Sequence, residues 1–272
     1  MVSPGHRPEP QVRYYDTRPP RSWWTVAVAI LLVVAGGAAA AWFGSRLLDA
    51  GGTDDAGELG TSGLPVDGDG EVIAPRTEDG SAVSVEAVDT TAGSLVMVGD
   101  SITQGSTDAI RYTLAASGLV DVTIDGVTSR RIEVGDGRGE FPESGIRAIY
   151  RLLQAGADPD VWVVALGTND IGKYDDPQGY RTLVRTVAEM IPEDAPLVWV
   201  DAFRGDYVDE SRVFDEALRD ELDGRDDTVV VSWSDIASTP GQTVLRDDDV
   251  HPNKDGNAVF ARLVADGVAA VT

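Results

Sequence analysis

SLVMVGDSIT, residues 94–103, joins a short apolar run to a glycine and a group of small polar residues. An apolar run of this length next to turn-forming residues is typical of a strand that is buried on both faces of a sheet. Four later runs have the same character. Together the five runs predict strands at residues 95–98, 120–124, 161–166, 197–200 and 228–231.

Segments whose apolar residues recur with helical spacing alternate with these strands. They predict helices at about residues 107–116, 143–155, 177–191, 210–222 and 254–270. This alternation implies a parallel sheet that is covered by helices on both faces. The predicted fold class is therefore α/β, a three-layer α/β/α sandwich with a central parallel sheet.

Three polar segments follow predicted strands. GDSIT (99–103) comes after the first strand, GTND (167–170) after the third, and DDVH (248–251) after the last. In open parallel sheets, catalytic and binding groups collect at the carboxyl ends of the strands. We therefore expect the three segments to meet at one rim of the sheet.

The chemistry that these segments could perform depends on a scarce residue type. The chain has two histidines, and His6 precedes an apolar segment, so His251 is the only candidate base in the folded part. A serine hydroxyl needs such a base to act as a nucleophile, and the base needs a carboxylate to hold it. Ser101 and His251 fit the first two roles. Asp248 fits the third, because a three-residue offset lets its carboxylate return to the imidazole.

Other interpretations of the same segments remain open. A serine after Gly-Asp is most often part of a turn or a helix cap. GTNDIGKY (167–174) contains most of a phosphate-binding loop, but Tyr174 stands where a magnesium-binding serine or threonine is required. GDSIT lacks the second glycine of the G-x-S-x-G nucleophile elbow. A catalytically inactive glycan-binding module is a further alternative.

Taken together and in this order, the three segments resemble the SGNH, or GDSL-type, hydrolase family, over about residues 94–272. The resemblance implies a flavodoxin-like sandwich and a serine esterase with a Ser-His-Asp triad. It implies that Ser101 is the nucleophile, followed by Ile102 where leucine is commonest in the family. It also implies that Asn169 donates to the oxyanion and that Asp248 and His251 complete the triad.

The second motif of the family departs from the usual pattern in this chain. The family usually supplies a glycine N–H to the oxyanion hole after the second strand, and in IDGVTSRRI (124–132) that position aligns with Ser129. Related cell-envelope acyl-transfer domains are similar here too, and would match Asp125 and Arg130. The resemblance thus makes Ser129 a backbone donor. An O-acyltransferase that uses the same acyl-enzyme stays open beside the esterase.

Composition restricts the partners. The formal net charge is −24 at pH 7, which argues against a nucleic-acid partner, because phosphate binding depends on Lys and Arg. Cysteine is absent, so the chain has no thiol nucleophile and no Cys-based zinc site. The acidic run DGDGEV (67–72) fails the calcium-loop pattern, since Val72 stands where glycine is required. We expect no cofactor and no metal.

The N-terminal part predicts a membrane anchor. Residues 23–43 carry no charge and as a helix would reach about 30 Å, the thickness of a bilayer core. Arginines are more frequent before this segment than after it, so residues 1–22 are predicted to be a cytoplasmic tail. Residues 44–93 are predicted to be an acidic, Gly-rich linker to an extracellular catalytic domain at 94–272. A cleaved signal peptide, giving a secreted enzyme, is the alternative.

This topology gives the first prediction. A reporter that works only outside the cytoplasm should be active when it is fused after Phe43 and inactive when it is fused before Trp23, because the positive charges precede the apolar segment. The measurement is the reporter activity of intact cells that produce each fusion. An inactive Phe43 fusion together with an active fusion before Trp23 would reverse the orientation.

Overall fold

The computed structural model of the chain describes Leu64 and residues 72–272. All five predicted strands are confirmed, and every neighbouring pair is parallel. Their order across the sheet is β2-β1-β3-β4-β5, which is the flavodoxin-like order. The strands are β1 Ser94–Gly99, β2 Asp121–Gly126, β3 Val161–Ala165, β4 Leu197–Val200 and β5 Thr228–Val231.

The five predicted helices are also present, and one boundary differs by more than two residues. The first begins at Ser101 and not at Thr107, because the Asp100 carboxylate accepts the N–H of Ile102 at 2.9 Å and caps the helix there. A short helix after β5 was not predicted. The helices are α1 Ser101–Ala116, α2 Gly145–Gln154, α3 Pro177–Met190, α4 Val208–Leu222, α5 Trp233–Ala237 and α6 Lys254–Val271.

Alternation along the strands divides the core between the two faces of the sheet. Leu95 and Met97 of β1 pack with residues of α1, α5 and α6. Val96 and Val98 point to the other face and pack with residues of α2, α3 and α4. Because successive side chains of a strand point to opposite faces of the sheet, each strand contributes to two separate cores. The predicted three-layer sandwich is confirmed.

Helix α6 lies so close to the sheet that one position in it has no room for a side chain. A Cβ atom on Gly267 would lie 2.6 Å from Cγ1 of Val198 in β4 and 3.0 Å from Cγ1 of Val231 in β5. Helix α6, which follows the His251 loop, therefore packs closely on the sheet at Gly267.

Residues 72–93, which composition placed in the linker, contact the domain directly. The N–H of Val88 donates to Ser117 Oγ at 2.9 Å. The N–H of Lys254 donates to Glu78 Oε1 at 2.9 Å. Residues 82–88 form no strand beyond the bridge between Ala82 and Arg76. Packing on the domain therefore begins before Ser94.

The predicted cytoplasmic tail, the apolar segment 23–43 and most of the predicted linker before residue 72 lie outside the described residues. Within residues 72–272, no helix has the length and apolar character that a membrane crossing needs.

The contact of α6 with the sheet gives a stability prediction. Gly267→Leu should lower the free energy of unfolding by about 1 to 3 kcal/mol, because the new side chain must displace Val198 and Val231. Ala270→Leu, at an exposed position of the same helix, should change it by less than about 0.5 kcal/mol. Urea denaturation measures both. Equal effects of the two changes would contradict the close packing.

Candidate active site

The three polar segments singled out in the sequence meet at the carboxyl-end rim of the sheet. Ser101 is the first residue of α1 and follows β1 after one intervening residue. Asn169 lies in the turn after β3, and its Nδ2 reaches Asp100 Oδ2 at 3.3 Å. His251 lies in the loop before α6, and its ring contacts Ser101. Residues that are 150 positions apart in the chain thus share one site.

Ser101, His251 and Asp248 form a continuous chain of hydrogen bonds. The distance from Ser101 Oγ to His251 Nε2 is 3.0 Å, and the distance from His251 Nδ1 to Asp248 Oδ2 is 2.8 Å. Both distances lie within the reach required for a nucleophile, its base and the group that orients the base. With the Nδ1 proton donated to Asp248, Nε2 is free to accept the serine proton.

The Asp248 carboxylate is fixed by backbone donors as well as by the imidazole. Its Oδ1 accepts the N–H of His251 at 2.9 Å and the N–H of Val250 at 3.0 Å. Partial burial raises the pKa of Asp248, but the bonds from His251 and Val250 outweigh it and lower the pKa to about 2. Asp248 is therefore ionised at neutral pH and can stabilise a protonated imidazole.

A tight loop holds His251 in place. Leu245 and Pro252 pair in an antiparallel bridge, and inside it the N–H of Arg246 donates to the carbonyl of His251 at 2.8 Å. Asp249 turns the chain with a positive φ of 53°, a conformation that aspartate tolerates better than most residues. The imidazole is thus carried on a rigid turn.

Asp100 directly precedes Ser101 in the chain and is 1% exposed. One carboxylate oxygen caps α1, and the other accepts Nδ2 of Asn169 at 3.3 Å. Burial raises its pKa from 3.8 to about 6, against the opposing effect of the bond from Ile102. A buried carboxylate therefore links the segments of Ser101 and Asn169.

Ser129 has the backbone conformation of a glycine. Its φ is +61°, in the left-handed region where side chains are uncommon. Gln104, one turn into α1, holds the preceding residue, because its Oε1 accepts both the N–H of Thr128 at 3.0 Å and its hydroxyl at 2.6 Å. Ser129 thus adopts a positive-φ backbone conformation, which is more usual for glycine, the residue that the family has at this position.

Arg130 ties the ends of two strands to the next loop. Its side chain is 1% exposed, and Nη1 donates to the carbonyls of Gly99 at 3.1 Å and Asp125 at 2.6 Å. Nη2 donates to Asp125 Oδ1 at 2.8 Å, and Nε donates to the carbonyl of Glu143 at 3.0 Å. Removing this guanidinium would leave buried acceptors without donors.

The Asn169 amide nitrogen donates two hydrogen bonds. Besides Asp100, its Nδ2 donates to the carbonyl of Arg130 at 3.1 Å. The bond to Asp100 is the longer of the two. The next residue, Asp170, is buried and accepts Ile132 N–H at 2.9 Å, which fixes the turn.

The phosphate-binding interpretation of 167–174 finds no support in the geometry of this segment. Lys173 lies in a turn, and the next helix begins only at Pro177, so no helix N-terminus follows the lysine. The Tyr174 ring packs edge-on against the buried ring of Tyr180, with centroids 5.3 Å apart. Tyr174 therefore belongs to the core of that face.

A cavity of about 440 Å³ opens on the nucleophile. Its volume is in the range of small-molecule sites. Its lining combines the Ser101 and His251 side chains with groups from α1, the Thr128 loop and α6. The lining residues are Ser101, Ile102, Gln104, Gly105, Thr128, Arg246, Asp248, His251, Pro252 and Asn257.

The sequence and the fold are those of a known class. The chain belongs to the GDSL-like lipase/acylhydrolase family, whose model matches residues 97–259, more than half of the chain. This membership makes it a serine hydrolase that acts on ester bonds. No curated protein sequence gives a significant match to the chain.

Solved structures of this class resemble the domain. A carbohydrate acetylesterase from Sinorhizobium meliloti matches with a TM-score of 0.53 and 18% identity, over 66% of this chain and 99% of that chain. A carbohydrate acetylesterase family member from the same organism gives 0.52 and 16%, over 65% and 98%. The catalytic domain of peptidoglycan O-acetyltransferase A from Streptococcus pneumoniae gives 0.47 and 18%, over 67% and 92%. At these identities the likeness to the two acetylesterase structures shows the fold.

Sequence reasoning missed the residues that support the site. Asp100 lies within the GDSIT motif and Gln104 directly follows it, but neither was given a role. Arg130 was noted only through the family resemblance, and its contacts are with carbonyls that no sequence pattern marks. An arginine that follows small polar residues, four positions after the end of β2, is the only signal that could have drawn attention to it.

The buried carboxylate of Asp100 gives a prediction about pH. Its folded-state pKa is raised, so ionising it opposes folding, and this destabilisation grows from about pH 4 and is complete above about pH 6. The free energy of unfolding of Asp100→Asn, relative to that of the native protein, should therefore rise by about 2 to 3 kcal/mol between pH 4 and pH 7.5. Denaturation at the two pH values measures the gain.

Asp108→Asn, at an exposed position of α1, serves as the control and should show little pH-dependent change. A difference between Asp100→Asn and the native protein that is the same at both pH values would contradict the raised pKa.

Proposed function

We propose that this protein is a membrane-tethered, extracytoplasmic esterase that removes acyl groups, foremost acetyl, through Ser101, His251 and Asp248. The observation that carries the proposal is the continuous contact from Ser101 Oγ through the imidazole to the Asp248 carboxylate. Family membership supports ester bonds as the target.

In the first step, Ser101 Oγ attacks the ester carbonyl while His251 Nε2 takes the hydroxyl proton. The imidazolium that forms is stabilised by Asp248, whose low pKa keeps it ionised. The bond between the carbonyl carbon and the alcohol oxygen then breaks, and His251 gives its proton to the departing alcohol. The acyl group remains as an ester on Ser101.

The negative charge that develops on the carbonyl oxygen needs donors. Ser101 is the first residue of α1, where backbone N–H groups have no partner within the helix and the helix dipole favours an anion. We assign the first donor to the N–H of Ser101, the second to the N–H of Ser129 and the third to Asn169 Nδ2. In comparable sites, loss of one such donor costs about 2.7 to 4 kcal/mol of activation free energy.

In the second step, a water molecule attacks the acyl-enzyme with His251 as the base and releases the acid. A sugar hydroxyl in place of that water would make the same intermediate an O-acyltransferase. Because the family whose model matches the chain is one of lipases and acylhydrolases, we favour hydrolysis.

Substrates on cell-envelope glycans or lipids fit the predicted location. The apolar segment 23–43 would hold the domain outside the cytoplasm, where such esters are found. The fold likeness to carbohydrate acetylesterases agrees with a sugar ester.

The proposal predicts the effect of removing the nucleophile. Ser101→Ala should reduce the turnover of para-nitrophenyl acetate by at least about a thousandfold, because Ser101 Oγ is the only hydroxyl of residues 72–272 that forms a hydrogen bond with the imidazole. Ser84→Ala, an exposed serine outside the site, should leave turnover unchanged. Release of para-nitrophenol measures both.

Undiminished turnover in Ser101→Ala would overturn the nucleophile assignment. Acetate release should also be insensitive to added glycan. If acylated sugar formed at the expense of acetate, transfer would replace hydrolysis. If the wild type neither turned over esters nor formed an acyl-enzyme, the domain would be a binding module.

A further inference from the structure

Arg246 stands on the wall of the catalytic cavity, directly across a backbone bridge from the base. Its N–H donates to the carbonyl of His251 at 2.8 Å, and the neighbouring residues Leu245 and Pro252 form the bridge. Among residues 72–272, Arg246 is the only lysine or arginine that lines this cavity. Its positive charge is thus attached to the loop that carries His251.

The guanidinium of Arg246 is oriented but has unused donors. Its Nε donates to the carbonyl of Pro252 at 2.9 Å, which holds the side chain against the loop. Within the described part of the chain, Nη1 and Nη2 have no hydrogen-bond partner, and no carboxylate forms an ion pair with Arg246. Other arginines in this acidic chain, such as Arg131 and Arg219, pair with carboxylates.

The acidic residues beside Arg246 do not neutralise it. Asp248 lines the same cavity, but its oxygens are taken up by His251 and Val250. The Asp249 side chain lies against Gly205. The planar fork of a guanidinium with two free nitrogen atoms is suited to a carboxylate or phosphate, which it can bind with two parallel hydrogen bonds.

We propose that the ester recognised at this site carries an anionic group, a carboxylate or a phosphate, which Arg246 binds through Nη1 and Nη2. This inference rests on the proposed esterase function and narrows its substrate class. It makes Arg246 a specificity residue, which touches the substrate away from the reacting carbonyl. A neutral ester would still reach Ser101 but would leave the guanidinium unused.

The net charge of the chain makes the effect measurable. At −24 the protein repels an anionic ester at long range, so any preference for one must come from a local contact. Loss of a single arginine changes the net charge only from −24 to −25, wherever the arginine lies. A distant arginine therefore provides a control for the change in overall charge.

The experiment compares matched esters on the full-length protein. On the acyl side the pair is para-nitrophenyl hemisuccinate and para-nitrophenyl butyrate. On the alcohol side it is 4-acetoxybenzoate and its methyl ester. For each pair the ratio of kcat/KM, anionic over neutral, is taken in the wild type and in each variant, so that differences in intrinsic reactivity cancel.

Arg246→Gln should lower this ratio about tenfold for at least one pair, equivalent to about 1.4 kcal/mol. Arg246→Lys should retain part of the preference, because it keeps the charge but loses the fork. Arg212→Gln, on the exposed surface of α4, should leave both ratios unchanged. The pair that responds shows whether the anion lies on the acyl or the alcohol side.

A ratio that is the same in Arg246→Gln and the wild type for both pairs would overturn the inference and leave the esterase proposal standing. So would an equal loss of neutral and anionic turnover in both Arg246 variants, which would indicate that Arg246 only supports the loop. If the wild type hydrolysed none of the four esters, the proposed function and this inference would fall together.

Discussion

The buried carboxylate of Asp100 determines where α1 begins, and the site depends on that point. By accepting the N–H of Ile102 it places Ser101 at the helix N-terminus, directly at the carboxyl end of β1. Its second oxygen reaches Asn169 from the β3 turn. Burial raises the pKa of Asp100 to about 6, so at neutral pH the fold keeps a charge in its interior at a cost in stability.

Around this carboxylate, hydrogen bonds between segments distant in sequence hold the site together. Arg130 joins the ends of β1 and β2 to the loop before α2, and Gln104 holds the turn that precedes Ser129. The His251 loop is closed by its own bridge. Each proposed catalytic group is therefore held by backbone contacts, which is the rigidity that an oxyanion site requires.

The strand positions were predictable, because apolar runs such as 161–166 are a local pattern in the sequence. The meeting of the three polar segments was predictable too, because functional groups of a parallel sheet collect at the carboxyl ends of its strands. The start of α1 was not, since small polar residues at 99–106 hide the helical spacing, and the cap works only once Asp100 is buried. Alignment predicted a donor at Ser129, but its positive φ is visible only in three dimensions. Residues 72–93 resemble a linker by composition, and their contacts with the domain follow no sequence period.

The central claim is that Ser101, His251 and the rim donors form one acyl-transfer site. Its most direct test is a crystal structure of the protein after reaction with a fluorophosphonate. We predict a covalent bond to Ser101 Oγ, with the phosphonyl oxygen about 2.7 to 3.1 Å from the N–H of Ser129 and from Asn169 Nδ2. An adduct on another residue, or a phosphonyl oxygen that points away from both donors, would contradict the account.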